Sequence, residues 1–394
     1  MKNLTSKNYQ IYFYLAGFIV ALLVSLQSYL QAPKSYDGTL EYPRYNNYII
    51  FKNSFDHLKS NENLYVLYET EHWDLYKYSP TFSLMMAPFW YLHDLPGLFL
   101  WNLLNVLVLF FALSKIEFPS QKLKLLAHLF ILPEIFTSMQ NSQSNILIAG
   151  LMILGFIYIK NGEVFKACLF ILVATFIKPF ALAAFVVFIF FPRKLKMIGY
   201  AGLLSVFLFL VPLVVVSFSE LIAQYQNWNV MLQMDHAMSY GYSVLGWLNT
   251  WFGVEPEKLL ILIIGTVLLF IPLIRLRLYS NEKFWFYTLS SVLLWVILFN
   301  HKSESPTFII AVSGIAIWFF TQSKISKLDL ALVVFAFIFT CLIASDVFPR
   351  FIRKEWAEPY AWKVFPCILV WVKIWFDLMT MKPKHELAKG KESL

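Results

Sequence analysis

Apolar stretches long enough to cross a lipid bilayer recur along this chain, separated by short polar turns, and that pattern excludes almost every soluble fold. About 20 apolar residues cover a hydrocarbon core of roughly 30 Å. The clearest stretches fall at about 10–30, 97–114, 197–218, 258–274, 284–300, 306–321, 328–345 and 360–380. Of 394 residues, 59% are apolar and only 14% charged, whereas a soluble domain has about 45–50% and about 25%. With 39 Phe, 13 Trp and no heptad or Gly-X-Y period, coiled coil, collagen and disorder fall as well. The chain is read as an all-α polytopic membrane protein. One integral domain is expected over 1–380, with a charged cytoplasmic tail over 381–394.

Charge placement orients it. Lys2 and Lys7, Arg193, Lys194 and Lys196, Arg275, Arg277 and Lys283, Lys324 and Lys327, and the tail lysines recur in every second turn. Cytoplasmic turns retain Lys and Arg, so this set faces inward and the alternating loops face outward. The first outer loop is 31–79 and the second 219–258. The net charge of +8 is scattered between apolar runs, so no basic face for nucleic acid is present. The first apolar run lacks a small-residue cleavage site and is expected to be a signal anchor. Cys168, Cys341 and Cys367 form neither a disulfide framework nor a metal-ligand spacing. Gly-rich phosphate loops, HExxH and GxSxG patterns are absent.

Parity is open between residues 80 and 192. Residues 81–93 are too short to cross, and Lys178-Pro179 divides 164–192 into two short helices. About 11–13 transmembrane helices follow. Broken or re-entrant helices in the middle third require a covered or wet cavity, since bare backbone is not tolerated in lipid.

The outward segments hold the polar chemistry. In 45-YNNYIIFKNSFDHL-58, Tyr48, Phe51, Phe55 and Leu58 repeat at helical spacing, which predicts an amphipathic helix on the outer membrane surface. A second surface helix is predicted around Tyr242, Leu245, Trp247 and Leu248. Asp74 and Lys77 lie among Trp73, Tyr76 and Tyr78. Rings stack on a sugar's apolar face while carboxylates accept its hydroxyl hydrogens; the alternative is an ion pair in an interfacial aromatic belt. His301, Lys302 and Glu304 separate two long apolar runs, where ionisable residues are costly and usually functional. Equally, Glu304 could favour the start of a helix at Pro306. Arg350 and Arg353 suit a phosphate, which Arg grips bidentately, or snorkel to lipid headgroups. Gln140, Asn141, Gln143 and Asn145 could bind sugar hydroxyls or cap a turn. Asp235-His236 points its side chains to different helix faces, which weakens a dyad, and the lone Lys178 needs a partner or a wet cavity.

Four stretches carry a resemblance: Leu75 to Phe89 with "YKYSPTFSLMMAPF", Leu100 to Asn105 with "LWNLLN", Gln140 to Gly150 with "QNSQSNILIAG", and "IKPF" within Ile177 to Lys194. Over about residues 10–320 the chain resembles glycosyltransferase family 87, polytopic GT-C-fold hexosyltransferases. The resemblance implies transfer of a hexose, usually mannose, from a polyprenyl-phosphate sugar to a lipid or glycan acceptor. It places the reaction at the outer face of the bacterial inner membrane, with membrane lipids as surroundings and no cofactor beyond the lipid-linked donor. The family's early acidic base falls at about Asn46, and an amide is no general base. The expected base is therefore Asp74 or Asp37, unless the transfer chemistry has changed or been lost. Asn46, Asn47, Gln143, Asn145, His301 and Glu304 are expected to hold sugar hydroxyls, and Lys77, Lys178, Arg350 and Arg353 the donor phosphate. No metal is expected. Rival functions are a flippase for a lipid-linked glycan and a non-catalytic envelope-assembly subunit.

Overall fold

A computed structural model describes residues 6–35, 38, 40–236, 240–301 and 303–383, with backbone alone for 6–10 and 236. Helix makes up 74% of the described residues. The strands among the described residues are β1 (Lys34–Ser35) and β2 (Glu41–Tyr42), an antiparallel pair in register Lys34 to Tyr42. The class is therefore all-α, as the apolar runs predict.

The helices are α1 (Ser6–Leu30), α2 (Asn46–Lys59), α3 (Pro80–Met85), α4 (Ala87–Trp90), α5 (Asp94–Ser114), α6 (Gln121–Gln140), α7 (Asn145–Lys160) and α8 (Val164–Ile177). They continue as α9 (Lys194–Leu210), α10 (Phe218–His236), α11 (Val244–Phe252), α12 (Lys258–Phe270), α13 (Glu282–Leu298), α14 (Phe308–Phe320), α15 (Lys327–Ala336) and α16 (Val364–Thr380). Three stretches, Ile11–Leu30, Asp94–Ser114 and Lys194–Val214, are long and apolar enough to cross a membrane by length and composition, and shorter apolar helices accompany them. Prolines explain much of the shortening. Pro212 and Pro272 lie in 3₁₀ tails, Val211–Val214 and Ile271–Ile274, that finish α9 and α12. A proline cannot donate to the preceding turn. Past Lys178 the chain turns into a 3₁₀ helix, Pro179–Phe190, which is the break predicted at Lys178-Pro179. Helices α3 and α4 are six and four residues long, so 81–93 makes no pass.

The chain divides into two compact units: Met1–Lys115, Ile135–Leu182 and Arg193–Met238; and Ile116–Glu134, Ala183–Pro192 and Ser239–Leu394. In the first, α5 packs on α1 and α7, and α8 on α7 and α9. In the second, α13 packs on α14 and α16, and α15 on α16. Lipid offers no hydrophobic drive between helices, so close packing of small residues matters. A Cβ on Gly150 would lie 2.9 Å from the Leu109 backbone nitrogen, and one on Gly314 2.9 Å from the Ser290 carbonyl oxygen. In the second unit the basic turn also serves a helix end: Arg275 donates to the Leu378 and Met381 carbonyls at 2.5 and 2.7 Å, where a cation meets the negative end of the dipole.

These contacts predict opposite outcomes for one substitution at two glycines. Gly314→Ala should lower the melting temperature in detergent by several degrees. Gly199→Ala, with nothing within 4 Å of the added carbon, should leave it unchanged or raise it slightly, because alanine is the better helix former by about 1 kcal/mol. Equal melting temperatures for the two variants would contradict the packing described.

Candidate functional site

The 31–79 loop is built on α2. Its apolar stripe, Tyr48, Phe51, Phe55 and Leu58, is buried, and α2 packs on α3 and α4. Phe51 meets Tyr78, Phe82 and Trp101 edge-on at 4.8, 5.3 and 5.9 Å. The predicted helix exists, but its apolar face is covered by protein rather than laid on lipid. Aromatic rings arriving from three other segments bury it more completely than a membrane surface would.

The polar edge of α2 carries Asn46, Asn53 and His57, spaced seven and four residues apart and so on one face. This edge holds the segment 71–74 like a strap. The Asn46 amide donates to the Trp73 carbonyl at 2.5 Å, and its oxygen accepts from the Trp73 N–H at 2.9 Å. Asn53 donates to Glu71 at 2.8 Å, and His57 Nε2 lies 3.2 Å from the same carboxylate. The His57 ring stacks on Tyr68 at 3.8 Å. Asn46 therefore spends both ends of its amide on backbone, and its place is under the strap rather than against a ligand.

Asp74 sits at the strap's end with φ +86°. A non-glycine residue held there stores of order 1–3 kcal/mol and persists only where its surroundings over-determine it. Asp Oδ1 accepts from the Leu75 N–H at 2.7 Å, and the Asp74 carbonyl accepts from His72 Nδ1 at 3.0 Å. The other carboxylate oxygen meets Lys77 Nζ at 3.0 Å, and that amine is also 3.7 Å from Asp235. Trp228 donates to the Lys77 carbonyl at 3.2 Å. Asp74 is 46% exposed, so this carboxylate is both held and reachable.

Further along the same unit, five stretches meet: residue 47, 78–79, 101–105, 141–147 and 176–178. Asn47 donates to the Asn141 carbonyl at 2.8 Å. Trp101 donates to the Ser142 carbonyl at 3.1 Å, and the Tyr78 hydroxyl to Gln143 at 3.2 Å. Lys178 Nζ donates to Asn145 at 3.0 Å and lies 5.4 Å over the Tyr78 ring. Asn105 accepts from the Leu147 N–H at 3.0 Å in the first turn of α7. Ser79 donates to the Phe176 carbonyl just before Lys178. Asn47, Lys178 and the amide pair Gln143 and Asn145, chosen from sequence on three grounds, share one polar cluster, and Tyr78 joins it to the segment of Asp74 and Lys77.

The remaining candidates belong to the second unit. His301 and Glu304 lie in the turn between α13 and α14, where the Tyr242 N–H donates to the Ser303 carbonyl at 2.7 Å. Glu304 caps the 3₁₀ turn Ser305–Thr307 ahead of Pro306, the helix-start arrangement weighed above. Arg353 pairs with Asp346 at 2.7 Å, and Arg350 is exposed. Asp37 and Lys302 lie outside the described residues. Among the described residues no group of three or more His, Cys, Asp or Glu could hold a metal. Sequence reasoning overlooked Asn53, His57 and Tyr78 as partners, and it overlooked Glu134 and Lys363, which pair at 2.8 Å. A lone Glu inside an apolar run was the available signal.

Burial holds the His72 imidazole below its usual pKa, against the opposing pull of Glu71 and of the Asp74 carbonyl. The unfolded chain then binds the proton more readily, so the stabilisation is complete above about pH 6.5 and declines as pH falls below it toward the lowered folded value. The melting temperature should drop between pH 7 and pH 5.5 (both about one unit or less from the free-histidine value). His72→Asn, whose amide can still donate but does not titrate, should show a shallower drop. Identical slopes would contradict the assignment.

With this geometry in view, the comparison with known families is direct. The profile of glycosyltransferase family 87 matches residues 76–300, more than half of the chain. The match runs from Tyr76 beside the strap, through the 140–145 turn and Lys178, to Asn300. No individual curated protein is similar enough to count as a match. Extent and content agree, and the chain belongs to glycosyltransferase family 87, as an all-α membrane glycosyltransferase.

Proposed function

We propose that this protein moves a hexose, mannose in our reading, from a polyprenyl-phosphate sugar to a lipid or glycan acceptor. The reaction would take place at the outer face of the bacterial inner membrane, where the first loop lies if the basic turns are cytoplasmic. One observation carries the reading. A reachable carboxylate on a strained, over-determined backbone stands a few residues from a cluster of lysine, amides and tyrosine drawn from five stretches of chain.

In the proposed reaction Asp74 accepts the proton of the acceptor hydroxyl. That oxygen forms a bond to the anomeric carbon as the bond to the phosphate oxygen breaks, leaving polyprenyl phosphate. Attack opposite the leaving group inverts the configuration, through an oxocarbenium-like centre. The departing phosphate gathers charge, and Lys178, fixed by Asn145, is placed to stabilise it without a metal. Gln143, Asn145 and Asn47 offer amides to sugar hydroxyls. Lys77 divides its charge between Asp74 and Asp235. Asn46 serves by holding the strap. For His301 and Glu304 we propose hydroxyl contacts, and for Arg350 and Arg353 phosphate contacts, in the second unit.

Purified protein should transfer label from a radiolabelled polyprenyl-phosphate hexose to membrane lipid. Asp74→Asn should lower kcat by about 10²–10⁴-fold, the usual worth of a positioned base. Lys178→Met should chiefly lower kcat, by about tenfold for each 1.4 kcal/mol of lost transition-state stabilisation. Full activity in Asp74→Asn would remove it as the base and leave Asp37.

A further inference from the structure

The second unit holds an ion pair that the proposed reaction does not use. Glu134 of α6 and Lys363, the residue before α16, have side chains 0% and 2% exposed. Lys363 Nζ lies 2.8 and 3.1 Å from the two Glu134 oxygens. It also donates to the Ser305 carbonyl at 3.2 Å and the Ser305 hydroxyl at 3.0 Å, and sits 5.0 Å over the Phe308 ring. The Lys363 carbonyl accepts from Thr340 at 2.9 Å. One amine thus gathers α6, α16 and the turn that leads into α14, while Thr340 fixes its backbone.

Stability alone does not account for this arrangement. Desolvating two ions costs so much that a well-packed apolar pair of similar volume is often neutral or more stable, whereas removing one partner alone is strongly destabilising. What an apolar pair could not supply is the grip on Ser305. Ser305 follows Glu304 directly, and the same turn is held from its other side by the Tyr242 N–H on the Ser303 carbonyl. Ser303 and Ser305, the two neighbours of Glu304, are therefore each held by hydrogen bonds.

We infer that Glu134 and Lys363 are positioning residues for transfer: the pair sets the 300–305 turn so that His301 and Glu304 meet their substrate hydroxyls. This rests on the role proposed above for those two residues. Neither Glu134 nor Lys363 touches substrate in this account.

A double-mutant cycle on transfer activity tests it. The paired replacement Glu134→Met with Lys363→Met should keep or raise the melting temperature while lowering kcat/KM at least tenfold. His301→Ala should cost at least tenfold in the natural background and less than threefold in the paired background, because a misplaced His301 has little left to lose; such coupling is what a shared arrangement produces. If His301→Ala costs the same factor in both backgrounds, or the paired variant transfers at the natural rate, the pair does not position the turn. Should the paired variant fail to fold, Ser305→Ala keeps the ion pair and enters the same cycle, with the same coupling expected and the same additivity fatal. Asp74→Asn runs alongside. If it retains full transfer, the base assignment fails, and the cycle still decides the positioning claim by itself.

Discussion

A charge inside a hydrocarbon layer must bring its partner with it, since no water is present to supply the missing hydrogen bond. The apolar helices of this protein obey that requirement. Lys363 has both oxygens of Glu134; Lys373 has Asp377 at 2.6 Å and Asp329 at 3.0 Å; Lys178 has the Asn145 side-chain amide oxygen Oδ1 and the Tyr78 face. Each joins helices or turns far apart in sequence. Outside those apolar helices the requirement is relaxed, and carboxylates of the first unit such as Asp74, Asp235 and Glu163 are left partly open.

The chemistry we propose lies on the loop side of this division. The first loop is fixed by ordinary means: an aromatic stripe under α2, and an asparagine side chain that mimics a backbone pair with Trp73. What it fixes is unusual, an aspartate in the left-handed region with each carboxylate oxygen already engaged. Sites that store backbone strain often do so for function, and the inference runs from the outlier to the role. In a glycosyltransferase a held, reachable carboxylate is the natural proton acceptor. With Asp74 as the proposed base, Asn46 needs no catalytic part, because its amide supports the segment that carries Asp74.

Much of this was legible before any coordinates. Hydropathy marked the apolar helices, the period of Tyr48, Phe51, Phe55 and Leu58 marked α2, and Lys178-Pro179 marked a real break. Lys178 could be named because a charge in an apolar run demands a partner, Gln143 and Asn145 because amides cluster at a helix boundary, and Asn47 because it lies in the polar first loop. Their mutual contacts could not be read, since a hydrogen bond between residues 33 or 94 apart leaves no periodic trace. Glu134 and Lys363, 229 apart, are the extreme case. The cover over α2 was misjudged for a related reason: an amphipathic stripe shows that something apolar meets the helix, without showing whether it is lipid or protein.

The central claim is that the sugar arrives on a lipid phosphate rather than on a soluble nucleotide. Protein reconstituted in liposomes can be offered a radiolabelled polyprenyl-phosphate hexose or the corresponding nucleotide hexose, each with membrane lipid as acceptor. The account predicts labelled glycolipid from the lipid-linked donor and none from the nucleotide sugar. Label arriving from the nucleotide sugar alone, or from neither donor for any hexose, would contradict it.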